Sequence, residues 1–306
     1  MPVAMTEELH DEAKGLDARP ALSILDTLLR AQVEAASAVE AALPSIATAA
    51  ALAADVFEKG GRLGYAAAGS SGLMALADGL ELPGTFGMPR EQIAILFAGG
   101  AASLRDMTGG PEDDAAQAVR DVDAARLASG DCLVGVSASG STPYAVAALR
   151  SARQRGAKTI AIANNEAAPL FESADVAILL ATPPEVIAGS TRMGAGTAQK
   201  IALNLFSTLL GVRLGHVHDG YMVNVHADNR KLRSRAARIV ASISGCAPEE
   251  AERLVAETGT VKTAVLLAAG APDATAAGRI LESASGRLRA AISTIEGSKR
   301  SSKPAA

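Results

Sequence analysis

The chain has 306 residues, 49% of them hydrophobic, a formal net charge of −4 with both signs dispersed, no Trp, three Tyr and five Phe. There is enough apolar material for a large core and a small second unit, while the absence of a basic stripe and the scarcity of aromatic residues exclude a nucleic-acid-binding surface. The two cysteines, Cys132 and Cys246, form neither a disulfide framework nor a zinc spacing, and a reducing cytoplasm is expected.

Residues 1–20 are polar and acidic; MPVAMTEELHDEAKG is no signal peptide, and the stretch is expected to be loosely ordered. Residues 21–58 are helical in pattern, with Pro44 dividing them. Glu34, Glu40, Pro44 and Asp55 interrupt the alanine-rich part, which reads as amphipathic helix rather than a membrane span. Gly60-Gly61 then punctuates the chain ahead of an apolar strand and a Gly69-Ser70-Ser71-Gly72 loop. A helix is expected over 73–80 and a loop over 81–87. IAILFAGG, 93–100, reads as a strand, followed by the polar run SLRDMTGGPEDD and a helix from near Ala115.

CLVGVSASGSTPY, 132–144, begins as a buried strand and breaks into small, hydroxylated residues, and Pro143 opens a helix. TIAIANN, 159–165, and VAILLAT, 176–182, are two more strands, and a long apolar helix covers 196–211. Strands alternating with helices predict an α/β fold with a doubly wound, five-stranded parallel sheet. Residues 229–243 read as a further helix, 246–292 as three short helices and 297–306 as a disordered tail. The expected division is an N-terminal tail and helical arm (1–58), a sheet domain (59–228), a small C-terminal helical domain (229–296) and the tail.

The helix opened by Pro143 directs free N–H groups and its positive dipole end at the preceding loop. Ser137, Ser139, Gly140, Ser141 and Thr142 surround that point, a cradle for a phosphate or carboxylate. Serines also cap helices in ordinary proteins. The second loop of the same kind, Gly69 to Gly72, favours a shared anion pocket at the carboxyl ends of parallel strands.

AAAGSSG, ELPGTFG, LFAGG, GGPEDD, SASGSTPYAVAALRSAR, PPEVIAGSTRMGAGTAQKIALN and CAPEEAERLVAETG together resemble the N-acetylmuramic acid 6-phosphate etherase family. That family belongs to the sugar isomerase (SIS) superfamily, flavodoxin-like in fold, and is related to the glucokinase regulatory protein. The resemblance runs from about residue 40 to 292, and its most specific segment is PPEVIAGSTRMGAGTAQK. It implies a carbon–oxygen lyase of cell-wall sugar recycling, without metal or organic cofactor, that opens the sugar ring, removes the carbon 2 proton, expels the lactyl ether at carbon 3 and adds water. It also implies two catalytic carboxylates, Glu81 in DGLELPGTFG and Glu112 in GGPEDD.

Further implied sugar-site residues are Gly69, Ser70, Ser71 and Gly72, the serine loop, and Glu185, Ser190, Thr191 and Arg192, for which helix capping is the competing role. Gln199 and Lys200 follow on the next helix as structural residues. His216, His218 and His226 have a spacing compatible with a metal, but a surface or interface role is favoured; His226 is a weaker candidate for the site of a neighbouring subunit. Three positions depart from the family pattern, each by loss of a basic residue: Leu73 and Ser141 stand where it carries Arg, and Gly194 where it carries Lys. A less anionic amino sugar or sugar phosphate is therefore expected, since Arg is the favoured partner of phosphate and carboxylate. The alternatives are a non-catalytic sugar-phosphate sensor and an aldose–ketose isomerase. The expected partners are a small-molecule sugar and a second copy in a homodimer, with no nucleic acid and no membrane.

Overall fold

The structure is a computed structural model that describes residues 5–225 and 230–301. The chain forms two compact units, one comprising residues up to Leu80 with Arg90–Leu209, the other Glu81–Pro89 with the chain from Leu210 onward.

The first unit is built on five parallel strands in the order β2-β1-β3-β4-β5. They are β1 (Leu63–Ala67), β2 (Ile93–Phe97), β3 (Cys132–Ser137), β4 (Lys158–Ala163) and β5 (Val176–Leu179). Every residue of β1 and β3 is buried, as expected of central parallel strands covered on both faces. Ala66 pairs with Gly135 and Ala67 with Val136, so β1 and β3 end side by side. Chain direction across the sheet reverses at this pair, and open α/β sheets bind ligands outside the carboxyl ends at such a point. The GSSG and serine segments each follow one of the two strands.

Helices α1 (Ala21–Ser37) and α2 (Leu43–Glu58) precede the sheet, and α3 (Gly69–Phe86) follows β1. Short helices α4 (Gly100–Ser103) and α5 (Gly110–Asp113) lead into α6 (Ala115–Ala124). Helix α7 (Pro143–Gln154) follows β3, and α8 (Gly194–Arg213) follows β5. Ala118 and Val122 of α6 and Ala145, Ala148 and Leu149 of α7 close over Ala66, Leu133 and Ala161 on one face of the sheet. Helix α2 packs on β1 and β5. Tyr65, on the face opposite Ala66, donates its hydroxyl to Asp78 of α3 at 2.9 Å, and the other Asp78 oxygen accepts from Ser207 of α8 at 2.9 Å.

Read end to end, residues 21–58 are apolar and long enough to cross a membrane. They form two helices broken between Ser37 and Leu43, with Pro44 in the first turn of the second. Seven side chains of α2 are buried within the unit.

Three local expectations are corrected. Residues 5–20 are not loose: Met5–Glu7 and Leu16–Ala18 form single 3-10 turns, with Thr6 and Leu16 only 4% and 8% exposed. The loop expected at 81–87 is the end of α3, despite Pro83 inside the helix. An interior proline costs about 3 kcal/mol. Leu82 and Phe86, one turn apart and both buried, each contribute about 1.5–3 kcal/mol and offset it. In the tail expected over 297–306, helix continues to Ser301.

The second unit contains a two-stranded antiparallel hairpin, β6 (Val217–His218) and β7 (Tyr221–Met222), and the helices α9 (Arg230–Ser244), α10 (Pro248–Thr258), α11 (Val261–Ala268), α12 (Ala274–Ser283) and α13 (Leu288–Ser301). The three short helices expected after 246 are α10 to α12, and α13 adds a fourth. Val240, Ala251, Leu266, Ala277 and Ala291 lie in their common core.

Candidate active site

The serine loop is folded around two hydroxyls. Ser137 Oγ lies 2.8 Å from Thr142 Oγ1 and 3.4 Å from Ser139 Oγ, and accepts from the Gly140 N–H at 3.0 Å. Ser139 Oγ accepts from the Ser141 N–H at 3.2 Å and from the Ser141 hydroxyl at 3.0 Å. Thr142 occupies the N-cap position of α7 without capping it, because its hydroxyl is turned to Ser137. The first-turn amides of this 12-residue helix therefore have no side-chain cap and face the loop, as an anion requires. Gly140 has φ +70°, and a Cβ there would lie 2.2 Å from Ala168 Cβ, so this bend admits no side chain.

The GSSG segment is the first turn of α3 rather than a loop before it. Gly69 has φ +54°, and Glu112 Oε1 lies 2.5 Å from the position its Cβ would take. Thus α5, opened by Pro111, delivers the Glu112 carboxylate onto the N-terminal turn of α3. Glu112 is half-buried; burial, and secondarily the charge of Asp113, raises its pKa. A carboxyl that holds its proton more readily than usual is suited to general acid work.

Beside it lies a cavity of about 470 Å³ lined by Gly99, Gly100, Gly110, Pro111, Asp114, Gln117 and Asp121. Asp121 accepts from the Tyr144 hydroxyl at 2.5 Å and from Gln117 Nε2 at 2.5 Å, which ties α6 to the helix that carries the cradle. Sequence reasoning did not find this link, because the partners are 23 residues apart and Asp121 lies outside the motifs.

Glu185 does not offer a free carboxylate. Its oxygens accept from the Gly194 and Ala195 N–H groups at 2.9 and 2.8 Å, capping α8, and the residue is 5% exposed. The capping role considered for this position is observed. Ser190 and Thr191 are half-buried in the loop before α8, and Arg192 is exposed with no ion pair among the described residues. Gln199 is fully buried and donates to Asn164 Oδ1 at 2.9 Å; Asn164 donates to Thr182 at 3.2 Å.

Glu81 lies on α3 and is exposed; it belongs to the second unit. His216 and His218 are in that unit too. Burial lowers the pKa of His216 to about 4 and, less strongly, that of His218. His218 Nε2 lies 3.6 Å from Asp219. His226 lies outside the described residues. No group of three or more His, Cys, Asp or Glu side chains is placed to hold a metal among the described residues.

Comparisons with known proteins bear on the family and the fold. The SIS domain family model matches residues 112–209, and the model of the glucokinase regulatory protein N-terminal SIS domain matches 45–153. A Bacteroides fragilis crystal structure, a candidate phosphosugar isomerase of capsule formation, shares the fold at TM-score 0.51 and 21% identity, over 68% of this chain and 98% of its own. The N-acetylmuramic acid 6-phosphate etherase of Deinococcus radiodurans is 42% identical over 93% of each chain. That of Streptomyces avermitilis is 42% identical over 94% of this chain and 93% of its own. With 42% identity to these two etherases along nearly its whole length, the chain belongs to the N-acetylmuramic acid 6-phosphate etherase family.

Proposed function

We propose that this protein cleaves the lactyl ether of N-acetylmuramic acid 6-phosphate or a closely related, less anionic amino sugar. The reaction consumes water and releases D-lactate and the parent amino sugar phosphate. The observation that carries the reading is the Glu112 carboxylate on the first turn of α3, with its pKa raised by burial. The α7 cradle of Ser137, Ser139 and Thr142 holds the phosphate, and Arg192 supplies a cation to the same end of the sheet. In the open-chain sugar the aldehyde acidifies the carbon 2 proton. One carboxyl group takes that proton, and one protonates the departing oxygen at carbon 3; water then adds to the unsaturated aldehyde. The family resemblance assigns these duties to Glu81 and Glu112.

Leu73 and Ser141 are uncharged, so neither position supplies a cation to a second anionic group. This supports a substrate of lower charge. Leu22, Leu25, Leu29 and Val33 form an apolar row on α1, between 59% and 81% exposed, which supports a homodimer built on the arm. A cytoplasmic site of action accords with a sugar-phosphate substrate. The test is product analysis: lactate appears for the lyase, a ketose phosphate for an isomerase and neither for a sensor.

A further inference from the structure

Residues 5–20 form a strap with two attachments, both in the first unit. Its foot is on α1. The Arg19 guanidinium donates to the carbonyls of Glu12 and Lys14 at 2.8 and 3.1 Å and to Thr27 Oγ1 at 3.3 Å. Thr27 in turn donates to the Glu12 carboxylate at 3.2 Å, and Leu16 is buried beneath. Its tip is Thr6, 4% exposed although it lies in a short, strongly polar stretch.

Thr6 bonds the loop before α8 directly and reaches the serine loop through Asn165. Its carbonyl accepts from the Gly189 N–H at 3.2 Å, and Gly189 directly precedes Ser190, Thr191 and Arg192. Its hydroxyl accepts from Asn165 Nδ2 at 3.3 Å. The same Asn165 amide donates to the carbonyl of Ala138, inside the serine loop, at 3.1 Å, and the Asn164 N–H donates to that carbonyl at 3.0 Å. One threonine thus spans the loop that carries Arg192 and, through Asn165, the loop that carries Ser137 and Ser139.

We propose that the strap is a working part of the sugar-phosphate site and that Thr6 is a positioning residue, holding the Ser190–Arg192 loop in register with the serine cradle. The proposal rests on the sugar-phosphate reading above. Ordering two loops around an anion costs free energy that is otherwise drawn from binding, and a contact formed beforehand removes that cost. When only a fraction of molecules has both loops in register, the apparent affinity falls by that fraction. Ile187, Ala188, Gly189 and Arg192 are exposed, so the loop before α8 gains an anchor from the strap, while the serine loop is already tied to the end of β4 through the Asn164 N–H.

The test measures binding of N-acetylglucosamine 6-phosphate, the stable product of the proposed reaction, to the full chain by titration calorimetry. Thr6→Val keeps the side-chain volume and loses the acceptor; Kd is expected to rise about tenfold, within the usual range of coupling between sites. Thr6→Ser keeps the acceptor and is expected to restore near-normal affinity, which a packing role of the methyl group would not do. Arg19→Met, which releases the foot, is expected to shift Kd in the same direction as Thr6→Val. Because coupling is reciprocal, the sugar phosphate should also slow proteolysis of the wild-type strap between residues 8 and 14, a readout that survives if a variant misfolds. Ser139→Ala is the control for the underlying reading. If it weakens binding while Thr6→Val does not, or if the ligand leaves strap proteolysis unchanged, the strap proposal falls alone. If the wild type binds nothing, or Ser139→Ala binds as tightly as wild type, the sugar-phosphate reading falls and takes the proposal with it.

Discussion

The Glu112 carboxylate occupies the space that a side chain at position 69 would need, with Oε1 2.5 Å from the ideal Cβ of Gly69. Two distant segments thereby meet at the end of β1. Gly69→Ala is expected to lower turnover at least tenfold, because the methyl displaces the carboxylate and the backbone, at φ +54°, disfavours any L side chain by about 1 kcal/mol. Steady-state kinetics alongside a thermal melt separate the two effects: a drop in kcat beyond what unfolded protein accounts for supports the contact, and unchanged kcat refutes it.

Ser139 and Ser141 are adjacent in role but unequal in structure. Ser139 accepts two hydrogen bonds and lies partly buried in the loop, whereas Ser141 is exposed and donates only to Ser139. Ser139→Ala is therefore expected to weaken sugar-phosphate binding by about 1.5–3 kcal/mol, the range for a hydrogen bond to a charged group, and Ser141→Ala by clearly less. Equal losses by calorimetry would remove this ranking.

Glu185 is expected to matter for stability before chemistry. Glu185→Ala removes a charged cap from two N–H groups at the start of α8 and should cost about 1–2 kcal/mol in urea unfolding. An unchanged urea midpoint would contradict the capping role.

The second unit should lose stability in mild acid. His216 has a folded-state pKa near 4, lowered by burial and secondarily by Lys262, against an ordinary value of 6.5. Neutral imidazole is thus the form that folding favours. Its stabilising contribution is complete above pH 6.5 and is lost as pH falls towards 4. His216→Gln should flatten the melting temperature over that interval; a profile as steep as that of the wild type would assign the acid sensitivity to other groups.

How much of this was legible in the sequence varies with the range of the interaction. The five strands follow from apolar runs bounded by Gly and polar residues, and the cradle follows from hydroxyls placed between a strand and Pro143. The end of α3 was hidden because Pro83 and Gly84 signal a loop locally, while the burial of Leu82 and Phe86 that overrides them depends on tertiary packing. Thr6 was invisible for the same reason: its partner Asn165 is 159 residues away, and a short polar stretch gives no periodic signal. At Glu185 the residue type fits both capping and substrate contact, and the backbone donors that reveal its capping role lie nine and ten residues away.

The most direct test of the account follows deuterium at carbon 2 and lactate release together, by NMR in heavy water, with N-acetylmuramic acid 6-phosphate as substrate for the wild type, Glu81→Gln and Glu112→Gln. The account predicts that the wild type releases lactate and incorporates solvent deuterium at carbon 2. Each variant should release lactate about 10²–10⁴-fold more slowly while folding normally, since Gln keeps the shape but cannot exchange a proton. Carbon 2 exchange that survives in Glu112→Gln would place that residue at the later hydration step. Lactate release at the wild-type rate in Glu112→Gln, or none from the wild type, would contradict the assignment of this site as a lyase centre.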